Sequence, residues 1–315
     1  MKKLIILGCT GFIGKNVAEF FAREKKYKVY GTYFKSKPFK NKSITFLKAD
    51  LTDKIQVNKV LQGKDILIQA AATTTGAKDI VSKPYIHVTD NAVINSYVMR
   101  SAFENKLKRV IFFSCSIMYK PSNKPQKEVD LNLNLDPFKS YFGAAWMKIF
   151  IEKTCEFFSR FKKTKFTVIR HTNIYGPNDK FDLNKSHVFG ASITKVLNAK
   201  NEIIVWGKGE EKRDFLHVYD LIKFIKLSLK KQKSYFELIN LSNGKSIRIK
   251  DLIKKIIKIS KKKINIKYDI SKPNIKTSIS VNSDKARKLY GWRPEITIDK
   301  GIYNTLQWYS KNIRN

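Results

Sequence analysis

The chain has 315 residues, 43% of them hydrophobic, with only 14 Gly and 8 Pro and a net charge of +37 from 63 Lys and Arg against 26 Asp and Glu. That length holds one large domain or two smaller ones, and the composition excludes collagen-like and disordered chains. Three cysteines without a CxxC pair and four scattered histidines exclude a disulfide framework and a structural zinc site, so no metal is expected.

The first residues, two lysines and an apolar run before Cys9, imitate a lipoprotein signal. Residues 4–7 are too short for an h-region of about 7 to 15 residues, and no stretch reaches the roughly 18 apolar residues of a membrane span. A cytoplasmic protein without a membrane partner is expected. Residues 3–7 instead read as a strand that runs into Gly8-Cys9-Thr10-Gly11-Phe12-Ile13-Gly14 and an amphipathic helix at 12–22. Strand, glycines spaced three and three, then helix is the pattern of a dinucleotide site. One glycine turns the chain, one admits a pyrophosphate to the backbone amides, and one lets helix pack on strand, with the helix N-terminus facing the anion. Gly8, Thr10, Gly11, Phe12, Ile13 and Gly14 are therefore candidate cofactor ligands.

A second strand, 28–33, ends in Gly31-Thr32-Tyr33-Phe34-Lys35, where an NAD-selective protein would usually carry Asp or Glu for the ribose hydroxyls. With no carboxylate to repel a 2′-phosphate and with Lys35 and Lys37 to attract one, NADP is expected ahead of NAD. A third strand, 44–48, leads into Ala49-Asp50-Leu51, which puts Asp50 and Leu51 at the adenine edge; the competing reading of Asp50 is a loop or helix-capping acid. Helix 54–61, strand 65–69, helix 85–104, strand 109–114, helix 141–161 and strand 166–170 continue the alternation. The expected fold is α/β, a doubly wound parallel Rossmann sheet.

After about residue 172 the rhythm breaks into irregular segments with Gly176-Pro177, Gly207-Lys208-Gly209 and Asn243-Gly244, among helices at 187–199, 219–229, 249–259 and 300–311. The division expected is an NADP-binding domain at 1–172 and a smaller mixed α/β substrate-binding part at 173–315, with room for segments to interleave. No low-complexity linker separates them, so they share a cleft. Lysine is abundant throughout, together with Ile and Asn, as in chains of biased base composition. Runs such as Lys254, Lys255, Lys258 and 261–263 lack the interleaved aromatics of a base-stacking platform, so no specific nucleic-acid partner is expected.

The glycine turn is followed by Gln69-Ala70-Ala71-Ala72, Asn91, Phe113-Ser114-Cys115-Ser116-Ile117-Met118-Tyr119 and Tyr141. Later come Arg170-His171-Thr172-Asn173-Ile174-Tyr175-Gly176-Pro177, Ser186-His187-Val188, Trp206-Gly207-Lys208-Gly209, Arg213-Asp214-Phe215-Leu216-His217-Val218 and Leu289-Tyr290-Gly291-Trp292-Arg293-Pro294. In order and spacing, over nearly the whole chain, these segments resemble an extended short-chain dehydrogenase/reductase of the NAD-dependent epimerase/dehydratase family. Ser186-His187-Val188, with a helix and then Val205-Trp206-Gly207, is most similar to the NADP-dependent branch that epimerises and reduces GDP-4-keto-6-deoxy sugars.

The resemblance implies a homodimeric enzyme acting on a nucleotide-linked, GDP-linked keto-deoxy sugar in surface polysaccharide synthesis. The alternatives are an NAD-retaining NDP-sugar 4-epimerase or 4,6-dehydratase, and a non-catalytic NADP(H) sensor. A dehydratase is disfavoured because its Asp-Glu pair should stand where this chain has Ser116-Ile117. Against the cofactor the resemblance places Ala70, Ala71, Ala72 and Ser114. Against the substrate it places Thr73, Asn91, Asn173, His187, Trp206, Arg213 and position 194, where the helix reads Thr194-Lys195 and the lysine stands one place on.

In that family a Ser and a Tyr bind the C4 oxygen, and a Lys four residues after the Tyr lowers the phenol pKa and holds the nicotinamide ribose. Hydride transfer to a carbonyl leaves an oxyanion, which needs such a proton donor. Here Tyr141 plus four is Ala145, and the first lysine on the helix is Lys148, roughly 10.5 Å along the axis but back on the same face. Counting back from Tyr119 places Cys115 in the Ser slot; a thiol is a weak donor, so Ser116 is preferred if the loop is shifted by one. His187 matches the His of the epimerising Cys/His pair, whose Cys position reads Ile117. His171 and His217 lie inside packed motifs and read as structural.

Overall fold

A computed structural model describes residues 1–73, 83–122, 124–183, 185–271 and 278–313. The first half alternates β1 (Lys2–Leu7), α1 (Phe12–Ala22), β2 (Tyr27–Tyr33), β3 (Ile44–Lys48), α2 (Lys54–Leu61), β4 (Ile66–Gln69), α3 (Thr89–Glu104), β5 (Arg109–Phe113), α4 (Phe142–Ser159) and β6 (Lys165–His171). Then follow β7 (Asn173–Tyr175), α5 (Val188–Asn198), β8 (Glu202–Trp206), β9 (Lys212–His217), α6 (Val218–Lys231) and β10 (Phe236–Leu241). The last elements are β11 (Ser246–Arg248), α7 (Ile249–Ser260), β12 (Asn265–Asp269), α8 (Asp284–Tyr290) and α9 (Ile298–Asn312).

Seven parallel strands form the central sheet in the order β10-β6-β5-β4-β1-β2-β3. An apolar run such as 4–7 suits this place because helices cover both faces. Leu4 and Ile6 pack with Val17 and Phe21 of α1 and Phe224 of α6; Ile5 and Leu7 pack with Val57 of α2, Val98 of α3 and Ile151 of α4. That alternation is the period-two consequence of the pleat. Strand order reverses between β1 and β4, and the crevice beyond their carboxyl ends is where a ligand of such a sheet binds.

Six of the seven strands are those read from the sequence. The seventh, β10, comes from residues past 172 and pairs with β6 through Phe236 to Leu241, so the chain leaves the sheet and returns to it. The smaller part holds sheets β11-β9-β7 and β12-β8 over a core that includes Tyr175, Phe189, Ile193, Leu252 and Ile302. Two expected helices begin later than their periodicity suggests: a 3₁₀ turn at Pro84–His87 precedes α3, and another at Lys139–Tyr141 precedes α4. Among the described residues no helix is long and apolar enough to cross a membrane.

Candidate active site

Gly8 has φ +74 and lies so close to the end of β4 that a Cβ would stand 2.6 Å from Ala71 Cα. Gly14 is as tightly closed, since a Cβ there would meet Gly8 O at 2.1 Å. Gly11 is different. Its nearest neighbour would be Gly8 O at 3.4 Å, an ordinary contact, so packing does not demand a glycine at this N-cap of α1 and the space over it is open. That opening, with the unpaired N–H groups of the first helical turn around Phe12 and Ile13, fits a pyrophosphate. Gly8 N donates to Thr32 Oγ1 at 3.0 Å and Cys9 N to Thr32 O at 2.9 Å, which tie the turn to β2. Asn16, unremarked in the sequence, donates to Phe12 O and to Pro177 O at 2.8 Å and links α1 to the second part of the chain.

At the outer corner, Lys35 Nζ lies 5.8 Å from the Phe34 ring and Lys15 Nζ 5.0 Å from the Phe39 ring. Past the end of β2 the chain itself offers ammonium groups, and the nearby carboxylate is that of Asp50, which follows Ala49, whose N–H donates to Tyr33 O at 3.0 Å. Asp50 Oδ1 accepts from Thr52 N and Thr52 Oγ1 at 2.9 and 2.7 Å, so this oxygen closes the loop before α2, as in the competing reading. The Leu51 side chain goes into the core under α2. Past β4, Gln69 brackets Ala71 by accepting from its N–H and donating to its carbonyl.

β5 and β6 end side by side, Phe113 paired with Ile169. Ser114 Oγ does not turn to the cofactor side; it donates to Glu152 Oε1 at 2.5 Å. The reason is a buried carboxylate in need of donors: Glu152 also takes Arg170 Nη2 at 2.6 Å, with both side chains 4% exposed. Arg170 Nη1 donates in turn to Tyr119 OH, which donates to Asn240 Oδ1.

Lys148 Nζ donates to Phe113 O at 2.7 Å and stands 4.7 Å from the Phe112 ring. Burial lowers its pKa, and Cys115 and Glu152 work against that shift. Cys115 is pushed up by burial and pulled down by Lys148. His171, at the end of β6, is held down to about 4 by burial, against a hydrogen bond to Thr172 O that raises it. Ser116 is buried just beyond Cys115.

Tyr141 does not lie on the helix with Lys148. It ends the 3₁₀ turn and caps α4 with φ −115° and ψ 4°, so counting helical rises from it does not apply. Its phenol interacts electrostatically with Arg213 of β9, whose pKa burial lowers. One turn before Lys148, α4 carries Ala144, while Ala145 is fully buried beside Met118, Tyr119 and Ile149.

On the expected substrate side, the Asn91 side chain is taken up by the protein's own backbone. Its Oδ1 accepts from Thr73 N and its Nδ2 donates to Thr73 O and His87 O, each at 2.9 Å. Both amide hydrogens are spent, so Asn91 clamps the loop after β4 instead of offering a donor to a sugar. Thr194 Oγ1 donates inward to Phe181 O at 2.7 Å, whereas Lys195 Nζ lies 5.4 Å from the Trp206 ring. Asn173 Nδ2 donates to Asp214 O at 3.1 Å. His187 caps α5 and is held below its usual range by burial and then by Lys180 and His87. His87 was not singled out from the sequence, because a histidine in a 3₁₀ turn has no periodic signature. Ser186 Oγ is buried without a partner among the described residues.

The model of the NAD dependent epimerase/dehydratase family matches residues 4–241, from the first strand of the central sheet to its last. The chain belongs to the NAD-dependent epimerase/dehydratase family. Membership makes it an NAD(P)-dependent enzyme of the epimerase/reductase kind. It is 30% identical over 280 residues to GDP-L-fucose synthase 1 of Arabidopsis thaliana, covering 86% of this chain and 85% of that one. To GDP-L-colitose synthase of Yersinia pseudotuberculosis it is 26% identical over 321 residues, covering 99% of each. The solved UDP-glucose 4-epimerase of Thermotoga maritima superposes with a TM-score of 0.86 at 20% identity, covering 99% of both chains, a likeness of fold.

Against the YxxxK pattern of this epimerase/dehydratase family, the lysine that reaches the end of β5 is Lys148, and the position four before it is Ala144. Counted back from Lys148, the tyrosine position of the pattern falls on Ala144, and Tyr141 stands three residues before it. Gathered near the ends of β5 and β6 are Cys115, packed against Met118, Tyr119 and Ala145, the Lys148 ammonium and the His171 imidazole.

Proposed function

We propose that this protein reduces, with or without epimerisation, a GDP-linked keto-deoxy sugar with NADPH, in the cytoplasm, for surface polysaccharide synthesis. The observation that carries the reading is Lys148, drawn from α4 to Phe113 O at the carboxyl edge of β5, two strands along the same sheet edge from the strand that leads into the Gly11 opening. A cation fixed there suits hydride transfer to a carbonyl, whose oxygen becomes anionic as the carbon is reduced. NADPH supplies the hydride when bound. The amides after Gly11 hold its pyrophosphate, Lys148 its nicotinamide ribose, and Lys35 with Lys15 the 2′-phosphate corner. The GDP-linked sugar is supported by the GDP-L-fucose and GDP-L-colitose synthases, which the chain matches over most of its length. With Ile117 in the place of the pair's Cys, His187 hydrogen-bonds the sugar beside Ser186.

A homodimer is supported by the outer face of α3 and α4. Phe150, Phe157 and Phe161 are 54, 53 and 51% exposed, and Phe157 and Phe161 join a ring cluster with Phe103 and Phe158. A second copy of the same face would cover them. The test is a panel of NDP-4-keto-6-deoxy sugars with NADPH, followed at the nicotinamide absorbance, and titration of NADP(H) against NAD(H). Consumption of NADPH with a GDP-linked member and tighter binding of NADP(H) are expected. No turnover of any member rejects the reductase reading, and equal or reversed affinities reject the cofactor assignment.

A further inference from the structure

Hydride transfer requires a group that takes or returns the proton of the sugar oxygen, and Ala144 has none to offer. Phe113 is the point on which titratable groups converge. Lys148 bonds its carbonyl at 2.7 Å, Cys115 stands two residues beyond it, and the His171 ring lies 6.2 Å from its ring, edge-on. Cys115 and His171 each follow by two residues a member of the Phe113–Ile169 pair of adjacent parallel strands, so both reach the carboxyl edge where such a sheet binds its ligands. We propose that Nε2 of His171 is the acid/base group for the sugar's keto or hydroxyl oxygen, in the role that Ala144 cannot fill. This rests on the reductase reading above.

The tautomer follows from one contact. His171 Nδ1 lies 2.7 Å from Thr172 O, and a carbonyl only accepts, so Nδ1 carries the hydrogen and Nε2 the lone pair. Burial and the nearby Lys148 ammonium keep the ring neutral near pH 7, so Nε2 is a base there. In the oxidative direction the sugar C–H bond breaks and its hydride leaves for the nicotinamide. The O–H proton passes to Nε2, and the O–H bonding pair becomes the second bond of C=O. In the reductive direction the resting neutral ring first takes a proton from water on Nε2, passes it to the oxygen as the carbon receives a hydride, and ends neutral again. One hydride and one proton move each way.

His171→Asn keeps an amide able to bond Thr172 O but has no atom at Nε2. Turnover of the panel sugar is expected to fall about 100-fold or more, with NADPH affinity unchanged. A second readout needs neither substrate nor cofactor: nitrogen-15 spectra of labelled histidine in the unaltered protein should show His171 neutral at pH 7 and protonated on Nδ1. Turnover of the variant within about threefold of the unaltered rate, an Nε2-protonated ring, or an imidazolium at pH 7 overturns the proposal. Because the spectra are read on the unaltered chain, an Nε2-protonated ring or an imidazolium overturns the proposal even where the variant does not fold. An unaltered protein that turns over no panel sugar sinks the reductase reading and this proposal together; an active protein whose variant keeps its rate sinks this proposal alone.

Discussion

His217 shows what burial does to a single titratable side chain in this fold. Its Nδ1 caps α6 by accepting from Tyr219 N at 3.2 Å, and its ring packs 5.2 Å from that of Tyr175. Burial pushes it down from 6.5 to about 4. Between those values the unfolded chain binds a proton that the folded chain refuses. Stability from this group is therefore complete above about pH 6.5 and lost as pH falls towards 4. His217→Asn keeps a capping acceptor and removes the titration. From pH 7 to pH 4.5 the urea-unfolding free energy of the unaltered protein should drop by about 2 kcal/mol relative to that variant. A difference that does not move with pH would contradict the assignment. Burial of this kind cannot be read from the Phe-Leu-His-Val segment itself, although reading His217 as structural agrees with its packing.

At the scale of elements, the three glycines of one motif separate into different physical tasks. A Cβ on Gly14 would press on backbone, Gly8 O at 2.1 Å, which cannot swing aside. Gly14→Ala should destabilise the fold by about 1–3 kcal/mol through overpacking, seen in denaturant melts. Gly11→Val should cost the melt only about 1 kcal/mol, the loss of a tolerated N-cap residue, and abolish binding of NADP and NAD alike, because its side chain would enter the space left for the pyrophosphate. Nucleotide titration of Gly11→Val with normal affinity would reject the cradle. The start of α4 teaches the converse. The apolar period continues back through Tyr141, so the sequence suggests one helix at 141–161. The backbone instead forms a 3₁₀ turn at Lys139–Tyr141, and Tyr141 interacts electrostatically with Arg213.

In the whole molecule, β10 returns to the central sheet while β9 and β7 hold the smaller one, so Arg213 stands on an element separate from the glycine cradle. Arg213→Ala should raise the KM for the nucleotide sugar about 10- to 100-fold, the worth of one or two charge-assisted hydrogen bonds, and leave NADPH affinity alone. Steady-state kinetics with an unchanged KM would remove Arg213 from the substrate site. A division at residue 172 follows the change of rhythm along the chain, but the Rossmann sheet recruits its last strand after that point. No local signal in Phe-Glu-Leu-Ile-Asn-Leu says which sheet its edge will find.

The sequence by itself determined the alternation of strands and helices, the glycine turn and the family. These depend on local periodicity, on steric demands within a few residues and on the order of short motifs. Tertiary structure decided which side chains of those motifs are taken up by the protein's own hydrogen bonds. Ser114 turns inward because Glu152, 38 residues away, gathers donors around a buried charge, and Asn91 is used up on Thr73, 18 residues before it. His171 and Cys115 reach one edge only because β6 lies beside β5. Motif spacing fixes how far apart such residues are along the chain. Which of their polar atoms remain free is settled by hydrogen-bond partners distant in sequence, and that competition exists only once the chain has folded.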